Sequence, residues 1–387
     1  MKKNLYIMYA IALLQGMVFY SPIATLYRQA QGVTLFQITV IEGISLALGI
    51  LLELPWGVVA DKIGYRNTMV FCSGLYFVSK LVFWKATGFG GFLAERIMLS
   101  VVLSGFSGVD SSILYLSCQG KGSQNVFGIY NSLGTVGLLS AAAVFSLFVQ
   151  DNYALAGLLT AISYGLAALL SLGITEVKPV KTEQSPPEPF KTTVRETFNN
   201  RPLLLFLIGA ALMSEAHQTI TVFLNQLQYE RCGLSSWAIG VVYIIATLLG
   251  LLGIYSAAVT KRLGGGASLL LFCCPAIASC LVLGLTRYAI PSVISVFALR
   301  ISDTLFQPFQ AEIQHKQVSS EHRATTLSVY AMFMDGIAIG TNLIFGALSD
   351  WSLPSAFFFG GGICTLSLVL FSFWAKYGNF PIRSAGP

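Results

Sequence analysis

Charged and polar side chains inside long apolar stretches are the residues of this chain most able to do chemistry. Glu215, His217 and Gln218 fall in one such stretch, 201–227. If a helix begins near 201, Glu215 lies about 20 Å along it, because an α-helix rises 1.5 Å per residue. A charge at that depth of a bilayer costs about 2.5–3.5 kcal/mol, so such groups face a cavity, a partner or water.

A carboxylate kept away from bulk water can exchange protons near neutral pH. Glu215 is therefore the first candidate for binding a proton or a substrate, with Gln218 on the same helix. His217 is a second candidate, and it faces another side of the helix. The alternative for His217 is that a neighbouring helix satisfies its ring.

A second apolar stretch, 290–314, carries Arg300 and Asp303. Residues three apart share a helix face, so two interpretations stay open. Either the two charges neutralise each other, or they contact a substrate. Gln307 and Gln310 continue roughly the same side, which favours the polar wall of a cavity.

Composition indicates which elements carry these residues. Of the 387 residues, 55% are hydrophobic and only 10% are charged, and the mean hydropathy is +0.72. A single water-soluble core stops growing beyond roughly 250–300 residues. Apolar runs of about 20 residues match the thickness of a bilayer. In lipid such runs are helices unless they form a barrel, and the short alternating segments of a barrel do not occur here.

We therefore predict an all-α membrane protein with twelve transmembrane helices. The first run follows Lys2 and Lys3, but it is too long for a signal peptide and lacks a small-residue cleavage site. The twelve runs are 5–27, 34–60, 67–86, 91–117, 123–149, 153–174, 201–227, 235–259, 267–286, 290–314, 323–348 and 353–375.

Lysine and arginine are concentrated on the side of these helices that is predicted to be cytoplasmic. Both termini are then cytoplasmic, and the net charge of +6 reflects this topology and not nucleic-acid binding. Lys80, in the third helix, is expected to extend toward the external side. The seven cysteines show no Cys-x-x-Cys or Cys/His spacing, which predicts free thiols and neither a metal nor a cofactor.

A proline-rich, charged segment, 176–200, separates two halves, 1–175 and 201–387, and is predicted to be a cytoplasmic linker. In its second part apolar residues lie four apart, from Phe190 to Phe198. That spacing predicts a short amphipathic helix at the membrane surface. The alternative is a disordered linker.

The loop between the second and third runs has a distinctive pattern of glycines and charges. It contains Gly57, Asp61, Lys62, Gly64 and Arg66. This pattern resembles the signature between helices 2 and 3 of the major facilitator superfamily, in which glycine, three residues and aspartate precede a basic residue, glycine and further basic residues. At Tyr65 the family has an arginine, and Arg66 is expected to take that role.

The resemblance implies two six-helix bundles whose helices 1, 4, 7 and 10 line a central cavity. Gln15 in helix 1 and Arg96 in helix 4 thereby become candidates for binding substrate or protons, because family members have a functional arginine in helix 4. Glu42 in helix 2 and Asp335 in helix 11 are expected to pair with other helices.

The resemblance also implies a conformational gate. In the family, an acidic residue at the position of Asp110 pairs with the basic residue of the loop. We therefore expect an Asp110–Arg66 pair, with Asp61 capping a helix, when the protein is open outward. The alternative is a static anchor in which Lys62 and Arg66 face lipid phosphates.

The stretches 323–328 and 107–115 are similar to those of bacterial drug-efflux-like members. The implied function is a monomeric secondary transporter in the bacterial cytoplasmic membrane, in contact with lipids, which exports an amphipathic or cationic molecule in exchange for protons. The alternative is proton-coupled uptake of a nutrient or an anionic metabolite, bound by Arg300 and His217. The helix 5 antiporter signature, with its glycine–proline pair, does not occur.

Other classes of protein are disfavoured. No G-x-x-x-x-G-K-[ST] loop occurs, so ATP hydrolysis is not expected to drive transport. The tail after Lys376 is too short for the soluble domain of a sensor. An intramembrane enzyme would need paired aspartates or a nucleophile with its base, and no such constellation is found.

Overall fold

The computed structural model describes residues 2–118, 123–177, 190–317 and 323–377, and these ranges are helical apart from short connections. The structure describes the backbone alone at residues 53–54, 57–58, 60–61, 123–124, 190–193, 196, 323–325 and 377. The helices, α1 to α16 in chain order, are Lys2–Gly16, Ala24–Ala30, Leu35–Ile63, Tyr65–Lys85, Gly88–Phe106, Val109–Ser117, Ser123–Val144, Tyr153–Ser171, Phe190–Asn199, Arg201–Gln218, Asn225–Arg231, Ser236–Leu249, Ser256–Leu285, Ala289–Lys316, Arg323–Trp351 and Leu353–Tyr377.

These helices provide the twelve predicted membrane crossings. Within the described ranges, ten segments are long and apolar enough to span a bilayer. One of them, Ser236–Leu285, has 50 residues and bends at Gly264, whose φ of 76° and ψ of 162° are not helical, so it supplies two crossings. The twelfth is α4, whose 21 residues span about 31 Å at 1.5 Å per residue.

Several crossings are interrupted along their length. The first is broken between α1 and α2, where Pro22 lies in a short 3-10 turn. The fourth is broken between α5 and α6, where Gly108 has a left-handed φ of 79°. The seventh widens into a π-helix over Thr219–Leu224, directly after Gln218. π-Turns inside helices are often found at functional sites.

Contacts divide the chain into two compact units. Unit 1 comprises Met1–Thr182 with Ser235–Ile244, and unit 2 comprises Glu183–Leu234 with Ile245–Pro387. Within unit 1, the Ser236 hydroxyl donates to the Asp151 carboxylate. The predicted limits 1–175, 176–200 and 201–387 follow the order of the crossings and stay a prediction of domain organisation.

A helix, α9, is present where the amphipathic helix is predicted, so the alternative of a disordered linker is wrong for Phe190–Asn199. Its amphipathic position at the membrane surface stays a prediction. Within unit 2 the Phe198 ring meets the Phe333 ring of α15 edge to face, with centroids 5.4 Å apart. Residues 178–189 lie outside the described ranges.

Candidate functional site

Each unit buries its own cluster of charged and polar groups, and the unit 2 cluster begins at Glu215. This carboxylate is buried and accepts a hydrogen bond of 2.6 Å from the Thr219 hydroxyl, one turn along. The same hydroxyl lies 3.4 Å from Asn342 Oδ1 on α15. Thr219 is the first residue of the π-helix, so Glu215 is hydrogen-bonded to the point where the seventh crossing leaves α-helical geometry.

His217 joins three helices. Its Nδ1 lies 2.7 Å from the carbonyl oxygen of Met213, and because a carbonyl only accepts, Nδ1 carries a proton. Its Nε2 lies 3.1 Å from Ser302 Oγ on α14, and Ser302 Oγ lies 2.6 Å from the Phe272 carbonyl oxygen on α13. Both ring nitrogens are thus occupied, so this arrangement favours the interhelical role of His217 over binding a substrate.

Arg300 and Asp303 neutralise each other on α14. Arg300 Nη1 lies 3.5 Å from Asp303 Oδ2, and the Gln307 amide lies 3.2 Å from both carboxylate oxygens. The Asp303 side chain is only 8% exposed, whereas that of Arg300 is 36% exposed. The carboxylate is therefore buried directly beneath an accessible guanidinium.

The seventh and tenth crossings share a polar face, since the Ser214 hydroxyl donates to Gln310 Oε1 across α10 and α14 at 3.1 Å. Gln218 and Gln307 are exposed. An exposed amide at membrane depth is tolerated only where it meets water or protein and not lipid. We call this surface the polar face of unit 2; it consists of Ser214, Gln218, Arg300, Asp303, Gln307 and Gln310.

Unit 1 holds a network of buried ion pairs. Arg96 Nη2 contacts Glu42 Oε2, and Arg28 Nη1 lies 3.6 Å from the other oxygen of Glu42. Lys80 Nζ lies 3.1 Å from Glu95 Oε1. We call these five residues the unit 1 charge network. It joins α2, α3, α4 and α5, and it confirms the prediction that Glu42 pairs with other helices.

The prediction that Lys80 extends toward the external side is wrong. Its ammonium lies 5.2 to 5.9 Å from the ring centroids of Tyr20, Tyr76 and Tyr164, so three aromatic faces stabilise it in place. With Glu95 as counterion, the lysine has no need to reach water. Gln15 is nearby, because its carbonyl accepts a 2.6 Å hydrogen bond from the Tyr164 hydroxyl.

The expected gate residues divide into two groups. The predicted Arg66–Asp110 pair is wrong for this arrangement: Arg66 Nε donates instead to the Ile174 carbonyl, just past α8, at 2.8 Å. Asp110 accepts from the backbone N–H of Ser111 at the start of α6. Lys62 is exposed.

Gly64 has a physical reason to be glycine. Its φ is 89°, and a Cβ there would lie 2.7 Å from a carboxylate oxygen of Glu176. That carboxylate accepts from the backbone amides of Tyr65 and Arg66 at 3.1–3.4 Å, at the start of α4. Glu176 therefore accepts from the first backbone amides of α4, while the Arg66 side chain donates to the chain just after α8. The side chains of Gly57 and Asp61 lie outside the described residues.

Comparison with known proteins supports the resemblance. A family model described as Major Facilitator Superfamily matches residues 5–341. The chain belongs to the major facilitator superfamily. It is a multi-pass membrane transporter and not an enzyme. No curated protein matches the sequence significantly.

Solved structures share the fold at low sequence identity. The nucleoside transporter NupG is 16% identical, with a TM-score of 0.80 over 97% of this chain and 100% of that one. A bacterial homolog of the human lysosomal transporter Spinster, in an inward-facing conformation, is 18% identical, with a TM-score of 0.69 over 96% and 94%. A POT family transporter in complex with 5-aminolevulinic acid is 14% identical, with a TM-score of 0.71 over 97% and 96%. Such likeness shows the fold, and the drug-efflux-like subtype stays a prediction.

Sequence reasoning missed several residues of these clusters. Thr219 lies four residues after Glu215, and Ser302 lies next to Asp303, so helix spacing could have identified both as hydrogen-bond partners. Glu176 follows the sixth run directly, but its position beside the start of α4 depends on tertiary packing.

Proposed function

We propose that this transporter couples the movement of a small polar organic molecule to a proton gradient, with Asp303 as the residue that binds the coupling proton. The observation that carries the proposal is the position of Asp303. Its carboxylate is buried in the membrane, yet its hydrogen-bonding partners Arg300 and Gln307 belong to the polar face of unit 2. A proton can therefore reach the carboxylate from that face.

Protonation changes what this face presents. With Asp303 ionised, Arg300 is neutralised on its own helix. When Asp303 takes up a proton, that attraction is lost and the guanidinium is free to bind another group. Proton and substrate are then linked through Arg300, since each state of Asp303 gives Arg300 a different partner. Alternating access, in which two bundles rock about a site near the bilayer midplane, uses such a link.

Glu215 is the second proton-binding candidate. It lies next to the π-helix and accepts a hydrogen bond from Thr219, so protonation would change the bonding of a segment already outside α-helical geometry. Its role would be to couple protonation to the shape of the seventh crossing. Glu215→Gln is expected to weaken the pH dependence of transport.

The substrate class follows from the side chains on the polar face. Three amides and a guanidinium offer several donors and acceptors, which suit a hydrogen-bonding solute better than an amphipathic cation. The similarity to a nucleoside transporter supports a solute of that kind. We therefore favour proton-coupled uptake of a nucleoside-like molecule over the export of a drug-like cation.

Reconstituted vesicles test the proposal. Radiolabelled uridine and adenosine, with ethidium as the cationic alternative, are offered under inward and outward proton gradients. We expect gradient-driven nucleoside accumulation that Asp303→Asn abolishes, while exchange of labelled for unlabelled solute without a gradient persists. Glu312→Gln is the matched control, because Glu312 is an exposed, paired carboxylate on the same helix. Accumulation by Asp303→Asn with unchanged pH dependence overturns the role of Asp303, and ethidium export overturns the substrate class.

A further inference from the structure

The charges of the unit 1 charge network do not balance. Arg28, Lys80 and Arg96 are cations, and Glu42 and Glu95 are their carboxylate partners. Three positive and two negative charges leave a net charge of +1 within this network. A net charge held out of water is unfavourable unless a counterion neutralises it.

The excess charge lies on the two arginines. Lys80 pairs with one oxygen of Glu95, whose other oxygen, Oε2, has no hydrogen-bond partner among the described residues, whereas Arg28 and Arg96 share the two oxygens of Glu42. On α3, the Glu53 position lies about 16 Å along the helix from Glu42, and Asp110 belongs to the next helix, α6, beyond the break that follows α5.

Both arginines also have unused hydrogen-bond donors. The Nε atoms of Arg28 and Arg96 are buried and have no hydrogen-bond partner among the described residues. Arg28 as a residue is only 7% exposed, so its Nε has no access to bulk water. A guanidinium presents its N–H groups in a planar fork that matches the two oxygens of a carboxylate. The unpartnered, buried Nε atoms and the excess positive charge both indicate a binding place for a further carboxylate beside these arginines.

The network is open only at Arg96. The side chains of Arg28, Glu42, Lys80 and Glu95 are 2 to 8% exposed, whereas that of Arg96 is 24% exposed. The uncharged neighbours do not supply a counterion. Tyr20, Tyr76 and Tyr164 turn their ring faces to Lys80, and the Phe83 ring lies 5.8 Å from the Arg28 guanidinium.

We propose that unit 1 binds the carboxylate of a small organic monoanion at Arg96, with Arg28 as the second positive charge behind Glu42. The bound carboxylate restores charge balance and accepts from an N–H that is otherwise unpartnered. The anion site that the sequence suggested is in unit 2, where Asp303 already neutralises Arg300, so the site proposed for unit 1 is a different one. It does not depend on proton binding at Asp303.

Equilibrium binding of radiolabelled benzoate to the full chain, purified in detergent, tests this site. We expect saturable binding that unlabelled acetate displaces and neutral benzamide does not. Arg96→Gln is expected to weaken benzoate binding at least tenfold. Arg96→Lys keeps the positive charge but loses the planar arrangement of N–H groups, so it should weaken benzoate binding by a smaller factor. If Arg96→Gln fails to fold, Arg96→Lys still tests the site.

Two variants provide matched controls. Lys85→Gln removes an exposed cation of α4 that lies over Trp84, and Glu312→Gln removes an exposed carboxylate of unit 2; both should bind benzoate as the unaltered chain does. Absence of saturable binding, or equal binding by Arg96→Gln, overturns the site. Loss of binding in Arg300→Gln with retention in Arg96→Gln moves the anion to unit 2 and also overturns it. Displacement by chloride as effective as by acetate overturns the carboxylate assignment.

Discussion

The two units bury charge in different ways. In unit 1 the ion pairs run between helices: one carboxylate, Glu42 on α3, holds both Arg28 on α2 and Arg96 on α5. In unit 2 the pair of Arg300 and Asp303 stays on one helix, three residues apart. Interhelical pairs fix the packing of a bundle. A pair on one helix can dissociate without moving a neighbour, so unit 1 is built for rigidity and unit 2 for a change of charge state.

The largest effect is expected from Glu42→Gln. It leaves two buried arginines without their carboxylate, and removing one partner of a buried ion pair costs about 3–5 kcal/mol. Thermal unfolding of the purified protein in detergent should show a large decrease in Tm. Glu312→Gln, which removes an exposed carboxylate paired with Lys316, should cost about 0.5 kcal/mol or less. Equal Tm values for the two variants would contradict the structural role of the unit 1 charge network.

A smaller loss is expected from Ser302→Ala in unit 2. The change removes the hydroxyl beside His217 Nε2, which is buried, and leaving a buried polar group unpaired costs about 1–3 kcal/mol. Ser372→Ala is the control, because Ser372 is exposed and donates only to a carbonyl of its own helix. If the two alanine variants unfold at the same temperature, His217 does not depend on the Ser302 contact.

The contrast between the two units also predicts that Asp303→Asn lowers the stability of the protein only slightly. The released Arg300 side chain is 36% exposed and can meet water, so the loss should be about 1 kcal/mol or less. Thermal unfolding and vesicle transport are measured on the same preparation. If Asp303→Asn loses gradient-driven accumulation while its Tm stays nearly unchanged, the pair of Arg300 and Asp303 serves transport and not stability. A Tm decrease as large as that of Glu42→Gln would instead make it structural.

Much of the fold could be predicted from the sequence, because the bilayer fixes the length of each apolar run. The runs 323–348 and 353–375 correspond to α15 and α16, which end at Trp351 and Tyr377. The breaks inside the crossings depend on local backbone, as at Gly108 with its left-handed φ. The kink at Gly264 lies among three consecutive glycines between the predicted runs 235–259 and 267–286, so the sequence already separated these two crossings.

The partners of the charged residues were harder to predict than the charges themselves. Glu215, Arg300 and Asp303 are conspicuous in an apolar sequence, and their burial or pairing follows from the cost of charge in lipid. The partner of Arg66 is the end of α8, 108 residues away, and no spacing rule reaches that far. Lys80 was misplaced for the same reason, since its tyrosine cage comes from three different crossings.

The smallest effect is expected from Glu176→Gln, at the start of α4. The amide keeps an acceptor for the backbone N–H groups of Tyr65 and Arg66 but loses the negative charge beside the start of α4. A charge at a helix N-terminus contributes about 0.3–1 kcal/mol at low ionic strength, and salt screens it. The Tm decrease should therefore be small in dilute buffer and vanish at high salt. A decrease that persists at high salt would show that the hydrogen bonds, and not the charge, hold this end of unit 1 together.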